Sequence, residues 1–384
     1  MINHDDPLAI AQALVATPSV NPMLEEGGGG EGAIADLTAG WLQDWGLKVD
    51  TVEVAPGRWN VMAEIGNPEA GRTLILNGHL DTVGIADMKI PPFDAKVQNG
   101  RLWGRGSCDM KGGLASLLTA TARVAKEGEL PGKLIIALTA DEEYKSVGME
   151  FLVNSGIRAD AAVICEPTGL AVMPAHRGFV WVTALFRGKA AHGSQPDIGV
   201  DAIEHAGRYL VNLGNLAKEL KEVSPHPLLS YGSFHAGTIK GGSVPSIYPS
   251  ECELVLERRT LPGETPALVI DQFQAVLDKL AIEVEDLDAE VIQGLTRSAT
   301  EVSEESELVR GLFQACSSQD IDPVLEGMSA WVDAALLNEA GTPAVCFGPG
   351  SIRQAHSADE WIDTSEIYIC ADVLHQFIRN FLGG

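Results

Sequence analysis

Five short stretches of this chain carry side chains suited to metal chemistry, four of them placed where an apolar run ends or a turn begins. The first reads Leu76-Asn77-Gly78-His79-Leu80-Asp81-Thr82. His79 and Asp81 are two residues apart, so on an extended backbone they share a face. A histidine beside a carboxylate is an arrangement in which one group ligates a metal and the other orients it. Taken alone, the pair is equally a satisfied polar couple at a strand end. The second stretch, Gly104-Arg105-Gly106-Ser107-Cys108-Asp109-Met110-Lys111-Gly112-Gly113, sets Asp109 in a glycine-rich turn before a helical pattern. Capping that helix is the simpler use of a lone aspartate.

The third stretch, Thr139-Ala140-Asp141-Glu142-Glu143, crowds three acids directly behind an apolar run. Crowding of this kind at a sheet edge is costly without a cation, although a solvated acidic loop would also accommodate it. The fourth is Val163-Ile164-Cys165-Glu166-Pro167-Thr168, and the fifth is Gln354-Ala355-His356-Ser357-Ala358-Asp359-Glu360, after the turn Gly348-Pro349-Gly350. Each is weak alone. Together they supply two histidines and three or four carboxylates, a mixed N/O set suited to two zinc or zinc-like ions bridged by one carboxylate.

For these groups to meet, the apolar runs must lie side by side. Candidate strands are Asn60–Ile65, Thr73–Gly78, Leu134–Ala140 and Ala161–Cys165, and Gly112–Glu127 has apolar residues at helical spacing (Leu114, Leu117, Leu118, Val124). Such alternation predicts a mainly parallel sheet covered by helices, with ligands gathered beyond the carboxyl ends of its strands. The pattern changes after Pro174: Phe179–Arg187 and Cys252–Arg259 read as strands, and Val200–Glu219 and Thr265–Leu280 as helices. From about Leu295 the first pattern resumes, with helices over Glu304–Ser317, Val332–Glu339 and Ser365–Phe381 and a strand over Pro343–Phe347. The fold class expected is α/β: a catalytic domain in two parts, 1–176 and 296–384, interrupted by an inserted α+β domain, 177–295.

Composition bounds the function. With 384 residues, 45% of them hydrophobic, the chain can bury a core of more than one domain. Its 27 Lys plus Arg against 53 Asp plus Glu give a net charge of −26. Nucleic acid and anionic membrane both need a basic footprint, so neither is expected as the main partner. The same balance suits a divalent cation. Six scattered cysteines without a CxxC pair read as reduced, buried thiols of a cytoplasmic protein. No secretory signal is expected, and no apolar run approaches the roughly 18 residues of a membrane span.

In order and separation the five motifs resemble the M20 family of cocatalytic zinc peptidases and amidohydrolases, over about residues 75 to 360. The resemblance implies that His79 binds one zinc, Asp109 bridges two, Glu166 completes the first site, and Glu143 and His356 the second. It implies that Asp81 orients His79, that Glu142 is the general base, and that the Asp109–Met110 peptide is cis. Gly188-Lys189-Ala190-Ala191-His192-Gly193-Ser194-Gln195-Pro196 matches the family's lid motif, making His192 the oxyanion donor, often supplied across a dimer. Glu257-Arg258-Arg259-Thr260-Leu261-Pro262-Gly263-Glu264 places Arg259 to hold a substrate carboxylate, a task suited to a planar guanidinium. Arg258 would face the other side of its strand and pair with a surface acid. Within Gly241-Gly242-Ser243-Val244-Pro245-Ser246-Ile247-Tyr248-Pro249, Ser246 stands where many members have Asn, which alters any substrate contact there.

The implied fold is a zinc-peptidase-like sheet domain with a ferredoxin-like lid through which the chain forms a homodimer. The implied cofactors are two Zn2+, with Co2+ or Mn2+ as acceptable substitutes. The implied activity is hydrolysis of the amide bond of an N-acyl amino acid, acetylornithine deacetylase-like. The alternatives are a carboxypeptidase or dipeptidase acting on short peptides or C-terminal glutamate conjugates and, remotely, a binding module that keeps the fold without turnover. Gly27–Gly30 lacks the Lys-Ser/Thr of a phosphate loop, and Gly106-Ser107-Cys108 does not form a serine nucleophile elbow.

Overall fold

In the computed structural model, which describes residues 4–223 and 225–383, the four most apolar strand patterns lie next to one another. Lys133–Thr139, Thr73–His79, Ala161–Ile164 and Ala344–Cys346 are neighbours in that order, and all three pairings between them are parallel. Nearly every residue in them is buried, which is why they read as continuous apolar runs rather than as alternations. Outside this centre the sheet turns antiparallel: Arg58–Gly66 and then Lys48–Ala55 on one side, Val172–His176 on the other. It is therefore parallel where the functional motifs end and antiparallel toward its edges.

By compactness the chain divides into a first unit of Met1–Pro174, Val302–Met328 and Val332–Gly384 and a second of Ala175–Glu301 with Ser329–Trp331. Residues 1–3, 224 and 384, which fall within the three expected stretches, lie outside the described residues. In the first unit, helix Gly112–Glu127 packs against Thr364–Gly383 and Pro7–Val15, and Thr364–Gly383 also packs on Glu307–Ser318. Local chemistry starts these helices where the sequence asks. Asp6 accepts from the Leu8 N–H ahead of a proline at the first helical turn, and Ser306 accepts from the Val309 N–H. Among the described residues no helix is long and apolar enough to cross a membrane.

The second unit runs strand Gly178–Arg187, helix Ala202–Glu222, strands Ser233–Gly241 and Glu251–Thr260, helix Pro266–Glu283, strand Asp288–Arg297. All pairings are antiparallel, in the order Ser233–Gly241, Glu251–Thr260, Gly178–Arg187, Asp288–Arg297, which is the ferredoxin-like arrangement. Its core lies between one sheet face and the two helices, so Cys252, Leu254 and Leu256 are buried while the residues between them are more open. The two outer strands were not among the expected ones. Ser233–Gly241 is exposed at every residue except Phe234, and Asp288–Arg297 has no fully buried residue, so neither carries an apolar run. The expected boundary at 295 consequently falls inside a strand.

Candidate metal centre

The parallel strands deliver their polar termini to one edge. His79 is the last residue of its strand and pairs with Thr139, two residues before Asp141. Ile164 pairs with both Asn77 and Cys346, which places Glu166 and the Phe347–Gly350 turn at the same edge. Asp109 arrives from a tight turn, Ser107–Lys111, at the start of helix Gly112–Glu127, and its peptide bond to Met110 is cis. Glu360 organises that turn from below. Its carboxylate accepts the N–H groups of Gly106 at 2.8 Å, Cys108 at 2.8 Å and Asp109 at 3.0 Å, and pairs with Arg105 at 2.9 Å. Gly78 leaves room beside His79 for the Met110 side chain, whose end a Cβ there would meet at 2.8 Å.

One ligand atom each from His79, Asp109 and Glu143 lies within 4.8 Å of the others. Asp109 presents its two oxygens in two directions: Oδ1 is 3.1 Å from His79 Nε2 and Oδ2 is 3.5 Å from His356 Nε2. Glu143 Oε2 is 2.9 Å from the same His356 nitrogen, and Glu166 Oε1 is 3.9 Å from His79 Nε2. The donors thus fall into two sets sharing Asp109, one with His79 and Glu166, the other with Glu143 and His356.

Asp81 contacts His79 mainly through its backbone. His79 Nδ1 is 2.9 Å from the Asp81 carbonyl oxygen, which can only accept, so Nδ1 carries a proton and Nε2, facing Asp109, is the nitrogen that would ligate a metal on giving up its own. The Asp81 carboxylate is 3.6 Å from Nδ1 and accepts instead from the N–H groups of Glu142 at 3.1 Å and Glu143 at 3.3 Å. These adjacent glutamates feel different surroundings: Glu166 and His79 act most on Glu142, Asp109 and His356 on Glu143.

Electrostatics supports a cation here. Burial pushes the carboxyls of Glu142 and Glu143 above their usual range and Glu166 up to about 8, with neighbouring carboxylates adding to each shift. His356 is raised to about 9 by its hydrogen bond to Glu143. For His79 burial opposes charge, yet Asp109 and Glu166 outweigh it and hold the imidazole well above its ordinary value. Protons are retained where positive charge is needed, a pattern a bound metal would replace. Glu143 Oε1 and Glu166 Oε1 are buried without a hydrogen-bond donor, so each has a lone pair to offer. The donor set fits a bound metal ion.

His192, Ser246 and Arg259 belong to the second unit. His192 is exposed, and its Nδ1 accepts from the Ser194 N–H at 3.2 Å and lies 2.8 Å from Ser194 Oγ, which leaves Nε2 to carry the N–H. The Ser246 carbonyl accepts from Gly193 N–H at 2.8 Å, so Ser246 supports the His192 turn through its backbone. Arg259 donates from Nε to Glu257 at 2.7 Å and lies 5.6 Å from the Phe179 ring centre, its side chain one-third exposed. Arg258 departs from expectation. It sits on the helix-covered face of its strand, fully buried, and pairs with Glu264 at 2.5 Å rather than with a surface acid. The glycine at 232 makes room for its guanidinium.

Sequence reasoning passed over Asn21, Glu31, Arg58 and Glu360. Each binds a partner distant in the chain, and only Glu360, inside the fifth motif, stood near a recognisable signal.

Residues 75–380 match the model of Peptidase family M20/M25/M40. An acetylornithine deacetylase of Myxococcus xanthus is 32% identical over 332 residues, 85% of this chain and 84% of the relative. One from Edwardsiella ictaluri is 31% identical over 387 residues, covering 97% of each. Among solved structures, a tripeptidase from Staphylococcus aureus aligns over 100% of both chains with a TM-score of 0.82 at 22% identity. An M20 metallo-carboxypeptidase from Sulfolobus solfataricus aligns over 98% of this chain and 99% of its own, with a TM-score of 0.80 at 19% identity. With its family-model match, its relatives and an edge-of-sheet cluster of histidines and carboxylates, the chain belongs to peptidase family M20/M25/M40 and is a metal-dependent amide hydrolase.

Proposed function

We propose that the chain deacylates an N-acyl amino acid bearing a free carboxylate, with two zinc ions held by His79, Asp109 and Glu166 on one side and Asp109, Glu143 and His356 on the other. The observation that carries this reading is the division of Asp109, one oxygen toward His79 and the other toward His356. When bound, two such ions lower the pKa of a water toward about 7 and polarise the scissile carbonyl. Co2+ or Mn2+ would suit the same donors.

Glu142 takes the proton of the attacking water and returns it to the amine nitrogen as the C–N bond breaks. Its raised proton affinity matches a group that must hold a proton between those steps. Asp81 holds the Glu142 and Glu143 backbone and fixes the His79 tautomer through its carbonyl. His192 serves as donor to the developing oxyanion, supported by an Nδ1 that accepts from Ser194 and so leaves the N–H on Nε2 of an exposed ring. Arg259 takes the substrate carboxylate, releasing Glu257 as it does so, and Ser246 sets the His192 turn.

The N-acyl amino acid is favoured because the relatives near 30% identity over most of the chain are named as acetylornithine deacetylases. A homodimer through the second unit belongs to the same reading, supported by the exposed edge strand Ser233–Gly241. So does a reducing, cytoplasmic setting, supported by six buried, unbridged cysteines.

The test is amine release by zinc-loaded protein from N-acetylornithine, N-succinyl-diaminopimelate, other N-acetyl amino acids, dipeptides and C-terminal glutamate conjugates. Preference for an N-acyl amino acid is the expected result. Preference for dipeptides or glutamate conjugates would keep the metal chemistry and replace the substrate class.

A further inference from the structure

Behind the two glutamates, within the first unit, lies a buried ion cluster of which the chemistry above uses Asp81 alone. Arg58 opens the strand Arg58–Gly66 and is only 5% exposed. Its Nε donates to both oxygens of Glu31, at 3.0 and 2.9 Å. Its Nη1 donates to Asp141 Oδ1 at 2.5 Å and to Asn21 Oδ1 at 3.3 Å, and its Nη2 pairs with Glu31 and lies 3.8 Å from Asp81 Oδ2. Asn21 Nδ2 closes the ring, donating to Asp81 Oδ2 at 2.8 Å and to Asp141 Oδ1 at 3.0 Å. One guanidinium thus serves three carboxylates that are all buried. A lysine has no planar fork with which to do this.

The cluster reaches the candidate metal ligands through the backbone. Asp141 directly precedes Glu142 and Glu143 and holds a left-handed conformation, φ 70°. Its carbonyl accepts from the N–H groups of Tyr144, Lys145 and Ser146, so the turn that aims both glutamates is closed on Asp141. The Asp81 carboxylate accepts from the N–H groups of Glu142 and Glu143. Both anchors of the turn, Asp141 and Asp81, are therefore carboxylates held by Arg58 and Asn21.

We infer that Arg58 is a positioning residue for the Glu142–Glu143 turn, setting where the general base and one metal ligand project. This rests on the metal-site reading proposed above. A cluster that only stabilised the fold would give up thermal stability when altered and leave metal affinity and turnover alone. A positioning cluster would weaken both in protein that is still folded.

The experiment compares wild type, Arg58→Lys and Asp141→Asn, with near-UV circular dichroism to establish folding. Co2+ is titrated into the metal-free proteins against a competing chelator, and kcat and KM are measured separately on the best substrate. Arg58→Lys keeps the charge and loses the fork, so Co2+ should bind 10- to 100-fold more weakly and kcat should fall over the same range. KM should stay within about threefold, because neither residue is placed to touch substrate. Asp141→Asn is nearly isosteric and provides the test should Arg58→Lys fail to fold, with a smaller shift in the same direction. Folded variants with wild-type Co2+ affinity and wild-type kcat would overturn the inference. Wild-type protein that takes up no Co2+ would instead overturn the metal-site reading on which it rests.

Discussion

His176 gives the second unit an acid sensitivity whose size follows from its surroundings. It is 3% exposed at the end of strand Val172–His176. Its Nδ1 donates to the Arg177 carbonyl at 3.1 Å, and its Nε2 accepts from Thr300 Oγ1 at 2.7 Å. A neutral ring satisfies both contacts, whereas a second proton would cancel the acceptor and place a charge in the interior. Burial accordingly pushes its pKa down to about 4 from an ordinary value of 6.5. The folded chain resists the proton that the unfolded chain accepts, so the contribution is fully present above pH ~6.5 and is lost as pH falls toward 4. With about 1.4 kcal/mol per pKa unit, the loss at pH 4 is about 3 kcal/mol.

His176→Gln keeps a donor and an acceptor but does not titrate. Urea unfolding of both proteins from pH 7.5 to 4, followed by tryptophan fluorescence with chelator present throughout, isolates this term as a difference. Wild type should lose about 3 kcal/mol more than the variant across that window. Parallel losses, within about 0.5 kcal/mol at every pH, would refute the reasoning.

Four other outcomes are expected. Glu142→Gln should lower turnover about 10²- to 10⁴-fold while metal content, read by elemental analysis, stays unchanged; a variant keeping a tenth of the activity would remove Glu142 from the base role. Gly113→Ala would drive a Cβ into the Cys165 carbonyl, one residue before Glu166, and should cost about 1–3 kcal/mol together with weaker metal binding. Gly40→Ala in helix Gly32–Asp44 meets open space and should stabilise by about 0.5–1 kcal/mol, so equal melting shifts in the two glycine variants would contradict this packing account. Zinc at a hundredfold its dissociation constant should raise unfolding free energy by about 2.7 kcal/mol, and a melting temperature indifferent to zinc would argue against binding to the folded state.

The parallel centre of the fold was legible because its strands are buried on both faces and end in polar residues. Thr73–His79 and Lys133–Thr139 announce themselves as apolar runs, and His79 and Asp141-Glu142-Glu143 stand where those runs stop. The outer strands Lys48–Ala55 and Ser233–Gly241 lie at sheet edges with few buried side chains, so no hydrophobic period marks them. The supports of the site were hidden for a different reason. Arg58 finds Glu31 27 residues away and Asp141 83 away, and Glu360 reaches the Asp109 turn across 251 residues. Nothing local marks such pairs. Glu31 even lies within the glycine-rich patch Glu25–Gly32, yet it is fully buried. Arg258 shows the same limit from the other side, since strand alternation assigns its face but not the Glu264 carboxylate that meets it there.

The measurement that bears most directly on the central claim is a metal titration of stripped protein, with amide hydrolysis followed at each addition. If Asp109 joins two ions at the sheet edge, amine release from an N-acyl amino acid should climb until about two equivalents of zinc per chain are bound and then level off. His356→Ala should reduce the bound metal toward one equivalent and suppress turnover. Saturation below one equivalent, or hydrolysis undiminished in excess chelator, would contradict the account.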